Sequence, residues 1–280
     1  MKKTIITLAI LTSMSSAMAV ADEAKADIDM SDPTDVYTTV GLSYGDAGLD
    51  FKGMLMLSST ETQKTGLIFE AKNMLDEDSY DAPDFNKGMA AVMGGATKEV
   101  SSRSYRLRWG TINTQNGLGW SIDAVSAEHP VYGQLTAVQT GPNMTIPIGD
   151  NFLIWPIAYV GGVILEDTNI EGLISQGGQS DPMTTDGVNI ASAIVTGMVY
   201  ARYAITDQLW ALGSYSYTTD IQGKSWSDDI MDGGLQMANA KYDLTIGYQF
   251  TPRQNVTLIY TGDDSGSDSD TFAVGYNYAF

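Results

Sequence analysis

The chain of 280 residues has no cysteine and a single histidine. Without cysteine it cannot be a disulfide-stapled secreted scaffold, and no Cys/His spacing for a metal is present. No stretch after the N-terminus is long and apolar enough for a membrane helix, which needs about 20 such residues. Positive charge is scarce: 15 Lys and Arg face 34 Asp and Glu, a net charge of −19. Nucleic acid is therefore not expected as a partner, since phosphate contacts need a basic patch. No phosphate-binding glycine loop is found either; the GxG-like pairs fall in strands and turns, where glycine serves packing and bends.

What is present begins with an export signal. Lys2 and Lys3, a largely apolar Thr4 to Met14, and the small-residue pattern Ala17-Met18-Ala19 read as a signal peptide over residues 1–19. Its removal takes two lysines and no acid, so the mature charge moves from −19 to −21. Residues 20–34 are polar and acidic and are expected to be a flexible periplasmic lead-in. Residues 35–280 are expected to form one all-β domain, in keeping with 29 glycines and 15 tyrosines.

Two-residue periodicity recurs along that domain, and side chains of a strand alternate faces with this period. Leu49, Phe51, Leu55 and Leu57 oppose Asp50 and Lys52. Leu67, Phe69 and Ala71 oppose Ile68, Glu70 and Lys72. Tyr105, Leu107 and Trp109 oppose Arg106 and Arg108, and Leu118, Trp120, Ile122 and Ala124 oppose Ser121 and Asp123. Val36, Val40, Leu42 and Tyr44 share a face in the first strand. In the middle, Gln134 to Met144 and Phe152 to Leu165 read as strands with bulges at Pro142 and Pro156, which cannot donate to a ladder. Further on, Val195, Val199 and Tyr203 oppose Thr196, Tyr200 and Arg202. Tyr242, Leu244, Ile246, Tyr248 and Phe250 oppose Asp243, Thr245 and Gln249. The count is about twelve strands, with 10 or 14 as alternatives.

The connectors sort by length. Thr60 to Thr65, Asn113 to Gly117, Pro147 to Asn151, Ile205 to Gln208 and Thr251 to Asn255 are tight. Leu75 to Ser102, Ala127 to Gly133, Glu166 to Val188, Thr219 to Asn239 and Asp263 to Ser269 alternate with them and are generally longer. A closed antiparallel transmembrane barrel has this asymmetry, and closure is the other way to satisfy every backbone group in lipid.

The last strand carries the most specific signal. Phe272, Val274, Tyr276, Tyr278 and Phe280 occupy one face, Gly275 and Asn277 lie on the other, and the chain ends on Phe280. This stretch resembles the closing strand of Gram-negative outer-membrane β-barrel proteins of porin-like type. The resemblance implies an integral location in the cell outer membrane, surrounded by lipid and lipopolysaccharide. It also makes Phe272, Gly275, Tyr276, Tyr278 and Phe280 a signal read by the barrel assembly machinery.

With the aromatic face toward lipid, Lys52, Glu70, Lys72, Arg106, Arg108, Asp123, Arg202, Lys241 and Asp243 fall on the inner face. Counted from the nearest tight turn at about 3.3 Å per residue, Lys52, Glu70, Arg106 and Asp123 share a level near mid-barrel. Asp243 is expected across the lumen from them. Two readings compete for this belt. One is a selectivity constriction in a pore for ions or small hydrophilic solutes. The other is a salt-bridge network that fills a closed barrel, leaving an adhesive or envelope-stabilising role to the loops.

The expected outer loops are acidic: Asp76, Glu77, Asp78, Asp81 and Asp84 in one, Asp228, Asp229 and Asp232 in another. Asp263, Asp264, Asp268 and Asp270 could hold a hard cation but lack the spacing and bidentate Glu of an EF-hand, so a solvated loop explains them as well. The apolar run Asn86 to Gly95 could fold inward or lie on the surface. His129, with Ser126 and Glu128 near it in sequence, is the only histidine available to a catalytic triad and is expected to be a rim residue. No cofactor and no enzymatic activity are expected.

Overall fold

The computed structural model describes residues 28–32, 35–74, 103–129, 133–166, 188–222, 239–263 and 270–280. Thirteen strands account for nearly all of them: β1 Thr39–Gly45, β2 Gly48–Ser59, β3 Gln63–Lys72, β4 Ser104–Asn113, β5 Leu118–His129, β6 Gly133–Met144, β7 Ile146–Ile148, β8 Phe152–Glu166, β9 Val188–Ala204, β10 Leu209–Gln222, β11 Asn239–Thr251, β12 Gln254–Asp263 and β13 Thr271–Ala279. Sequence neighbours pair antiparallel except β6 and β7, and β1 pairs with β13, so the sheet closes into a barrel. β6 and the short β7 lie in succession along the same edge of β8 and count as one stave, which makes twelve around the circumference.

The strands form because their two faces differ. Leu107, Ile122, Val160, Leu244, Leu258 and Val274 point outward and stay exposed on the isolated barrel, Val274 to 62%. Between the staves the inner face carries Asp123, Ser121, Gln139, Thr196, Asn255 and Thr257, all buried. An apolar outside around a polar inside inverts the soluble pattern and matches a lipid-facing barrel. Aromatic residues gather at both ends of the outer face. Tyr203, Tyr248, Phe250, Tyr278 and Phe280 lie at one end, and Tyr44, Tyr105, Tyr242, Tyr260 and Phe272 at the other. Rings at two levels suit two membrane interfaces.

The tight turns are built from local chemistry. Asn113 Oδ1 accepts from the N–H groups of Gln115 and Asn116 at 2.9 and 3.1 Å, and Gly117 closes that turn at φ +72°. Thr206 Oγ1 accepts from Leu209 N–H at 2.9 Å in the β9–β10 turn. Such side chains supply the bonds a reversing backbone loses.

Pro142 and Pro156 do not carry bulges. Across β8, Thr140 pairs with Val160, Asn143 with Ile157 and Ile146 with Ile154, so both strands advance in step and no residue is inserted. The prolines simply omit a donor, and the pairing lapses between these points. Register shifts fall instead at Met56/Ser58, Val163/Ile164, Asp220/Gln222 and Gln249/Thr251.

Two further readings differ. Val36, grouped with the lipid-facing residues of the first strand, precedes β1 and lines a cavity in the lumen. Of the lead-in 20–34, residues 28–32 are described, and they are docked rather than solvated. Gln249 accepts from Met30 N–H at 3.2 Å and donates to the Ile28 carbonyl at 2.8 Å, and Met30 and Ser31 are buried. Polar side chains at the barrel mouth give this polar segment partners that compete with water. Residues 1–19, 75–102, 223–238 and 264–269 lie outside the described residues. With them go the signal peptide, the run Asn86 to Gly95, most of the acidic loop residues, and Asp264 and Asp268.

Candidate functional site

The inner face of β2 to β5 carries an unbroken row of ionised side chains. The register sets Lys52 opposite Glu70, Glu70 opposite Arg106, and Arg108 opposite Asp123. Lys52 Nζ lies 3.4 Å from Glu70 Oε1, and Arg106 Nη1 lies 3.9 Å from Glu70 Oε2. Arg106 then leans one pair along its strand to reach Asp123, donating from Nε at 2.8 Å and from Nη2 at 2.5 Å. Arg108 Nη2 donates to the same carboxylate at 3.1 Å. Two guanidinium groups thus share Asp123, which is 0% exposed, and the planar fork of Arg106 grips both its oxygens. The signs alternate as + − + − +, with one cation in excess.

The row continues as neutral hydrogen bonds. Gln139 Nε2 on β6 reaches Asp123 at 3.5 Å, and Thr196 Oγ1 on β9 donates to Gln139 Oε1 at 2.9 Å. Thr196 also lies 2.9 Å from Thr218 Oγ1 on β10. Gln139 crosses β8 at Gly161, where a Cβ would come within 2.6 Å of the Gln139 Cβ. A similar crossing lies beside it. The Tyr159 hydroxyl on β8 meets Ser121 Oγ on β5 at 2.6 Å, passing β6 at Gly141, where a Cβ would sit 1.9 Å from the Ala158 carbonyl oxygen. Glycine is required at both points because the backbone of the neighbouring strand, the Ala158 carbonyl at one and the Val138 carbonyl at the other, leaves no room for a Cβ. The Arg108 guanidinium carbon stands 6.0 Å above the Tyr159 ring, within cation–π range.

Between this wall and the wall of β8 to β10 lies a cavity of about 170 Å³. Lys52, Glu70, Arg106 and Arg108 line one side, and Trp155, Ile157, Tyr159, Tyr200 and Leu212 the other. Trp155 and Tyr159 are nearly fully buried.

The remaining inner-face charges have contacts of their own. Asp243 on β11 accepts from Ser214 Oγ at 2.9 Å and from Thr261 Oγ1 at 2.8 Å. Arg202 stands near the short turns, where its Nη2 lies 2.8 Å from Asp29 Oδ2. Lys72 pairs with Ser104 and Lys241 with Asp263, both near the long connectors. Asp270 is held by the hydroxyls of Tyr242 and Tyr260 at 3.2 and 2.8 Å. Among the described residues no three His, Cys, Asp or Glu side chains gather as a metal site. His129 ends β5, its backbone paired with Gly133.

In the closing strand, Gly275 and Asn277 face inward, and Asn277 Nδ2 donates to Asn255 Oδ1 at 2.7 Å. Phe272, Tyr276, Tyr278 and Phe280 face outward, with Phe272 packed 4.8 Å from Tyr260 and Phe280 edge-on to Tyr278. Sequence reasoning missed Trp155, Tyr159, Gln139 and the segment 28–32 as parts of the lumen. For the first two the only available signal was bulk on a strand apolar on both faces.

Fold and inner face together define a closed, polar-lined antiparallel β-barrel with the fold seen in outer-membrane porins and channels. No family model matches the chain, and none of the curated proteins does. Among solved structures it is similar to an outer membrane channel from Pseudomonas putida F1, with 9% identity and a TM-score of 0.55 over 91% of this chain and 100% of that one. It is also similar to the NanC porin, with 7% identity and a TM-score of 0.48 over 87% of this chain and 100% of that one. At these identities the likeness is one of fold.

Proposed function

We propose that the protein is an outer-membrane channel for passive diffusion of ions or small hydrophilic solutes. The observation that supports this best is the charged row from Lys52 to Arg108 beside an unfilled cavity. A barrel sealed for structure alone is better served by apolar packing than by buried charges. The likeness to the Pseudomonas putida channel agrees with the reading. Lys52, Glu70, Arg106, Arg108 and Asp123 would line the narrow part, with Asp243 across the lumen from them and Lys72 and Arg202 toward its two ends. The acidic connectors would raise cation concentration at the mouth. Outer-membrane lipid and lipopolysaccharide would surround the barrel, and the assembly machinery would read Phe272, Gly275, Tyr276, Tyr278 and Phe280. No cofactor enters.

Recordings from the purified full-length protein in planar bilayers test the channel. Stepwise conductance is expected, and silence at every voltage overturns it. Lys52→Glu tests the row, because Lys52 is 61% exposed and its replacement leaves the Arg106–Asp123 pair intact. The reversal potential in a salt gradient should move toward cations; an unaltered value removes the row from the pore wall. The second reading, a non-conducting barrel acting through its loops, is favoured by the complete burial of Asp123. A solute-permeation assay separates the two.

A further inference from the structure

The described residues before β1 cross the short-turn end of the lumen from one wall to the other. On the β9–β11 side, Asp29 Oδ2 meets Arg202 at 2.8 Å, and Gln249 holds Ile28 and Met30 by their backbone. An Asx turn stiffens this end: Ser31 N–H and its hydroxyl both bond Asp29 Oδ1, and Asp32 N–H donates to the Asp29 carbonyl at 3.2 Å. Asp35 N–H in turn donates to the Asp32 carbonyl at 3.2 Å. On the β2–β3 side, Asp35 Oδ1 meets Lys64 Nζ at 2.6 Å. Val36 enters the cavity against Gly66, where a Cβ would lie 2.8 Å from it. Thr38 finally joins the wall, accepting from Phe280 N–H at 2.9 Å and from Met56 N–H at 3.3 Å. All the anchors on the wall lie close to short turns, so the segment spans the end of the barrel below the charged row.

We propose that this segment, Ile28–Asp32 with Asp35–Thr38, is a strap that floors the lumen and sets the size of solute able to pass. It rests on the channel reading above. Tied by ion pairs to Arg202 and Lys64 on facing walls, the strap divides the mouth. Its polar backbone and three Asp side chains keep the gap beside it wet. The row at mid-barrel then acts on charge, and the strap acts on size.

Two variants release it from opposite sides: Arg202→Ala with Gln249→Ala on the wall, and Asp29→Ala with Asp35→Ala on the strap. Neither touches a strand-pairing backbone bond, and circular dichroism of the purified full-length protein checks that each barrel has folded. Hydrogen exchange of the Met30 amide reports docking, and single-channel recording reports the path. Met30 should be protected in the parent chain and exposed in both variants. Conductance should rise about twofold or more, because the pore's free width limits flow. A silent parent with conducting variants also supports the strap and corrects the channel reading to a closed state. Released variants that conduct like a conducting parent overturn the strap and leave the channel standing. Silence in parent and released variants overturns both. A parent whose Met30 amide exchanges at free-peptide rate, or variants that stay protected, overturns the strap.

Discussion

Replacing Asp123 by Asn isolates what the ion row contributes. The carboxylate is 0% exposed and accepts from Arg106 at 2.8 and 2.5 Å and from Arg108 at 3.1 Å. The guanidinium-bearing side chains are themselves only 22% and 14% exposed. Asparagine keeps the shape and removes the charge. Two cations then face each other across a neutral amide, with Glu70 3.9 Å from one of them as the remaining acid. Breaking a buried pair by removing one partner costs about 3–5 kcal/mol, most of it the stranded charge. Lys52→Met is the internal reference: Lys52 is 61% exposed, its contact with Glu70 is 3.4 Å, and Glu70 keeps Arg106 at 3.9 Å when it is lost, so this change should cost less. Urea unfolding in detergent, followed by fluorescence of the five tryptophans, measures both. A loss below about 1 kcal/mol for Asp123→Asn, or one equal to that of Lys52→Met, refutes the burial argument. A triple change of Arg106 and Arg108 to Met with Asp123 to Leu should recover most of the stability. If that variant also keeps the parent's ion selectivity, the row is structural and filters nothing.

Gly161→Val drives a side chain into the Gln139 crossing and the Val138 carbonyl 2.2 Å away, so thermal unfolding should show a loss of about 1–3 kcal/mol. Gly197→Ala, with nothing within 4 Å, should be neutral or stabilising by up to about 1 kcal/mol. Tyr37, just before β1, has its phenol pushed up, first by burial and then by Asp35, Asp29 and Asp32. A raised value in the folded state means stability is complete below the ordinary phenol value of about 10 and declines as pH climbs past it. Urea midpoints between about pH 8 and 11 should fall more steeply in the parent than in Tyr37→Phe; equal slopes refute the assignment. Deleting Phe280 removes one backbone bond to Thr38, worth about 1 kcal/mol. A much larger fall in folded protein recovered from outer membranes would mark it as an assembly signal, and unchanged recovery would not.

The barrel was legible where the two faces of a strand differ in polarity. Arg106 and Arg108 against Leu107 and Trp109 fix the parity of β4, and Asp243 against Leu244 that of β11, without any tertiary information. β8 offered no such contrast. Trp155, Ile157, Tyr159 and Val163 face inward, Ile154, Ala158 and Val160 outward, and both sets are apolar. Pro142 and Pro156 suggest bulges because a missing donor and an inserted residue leave the same mark in a sequence. Only the register with β8 distinguishes them. The docked segment was illegible for another reason. Met30 and Gln249 are 219 residues apart, and a polar acidic stretch near a terminus looks alike whether water or Arg202 receives it.

The geometry of twelve staves explains why the lumen is organised along its wall. Only every second residue points inward, and a barrel of this width lies between those that side chains fill and those that hold open water. Contacts across the centre are hard to reach, so polar groups find partners by lying sideways. Arg106 bends toward Asp123, Gln139 passes over Gly161 to Thr196, and Tyr159 passes over Gly141 to Ser121. Both crossings run past a glycine, Gly141 on β6 and Gly161 on β8, where a Cβ would strike the backbone of the adjacent stave. Side chains that lie along the wall satisfy one another and leave the space beside them unfilled. That space is where the cavity lies and where Val36 enters from below. One packing rule thus accounts for both the buried ion row and the room beside it.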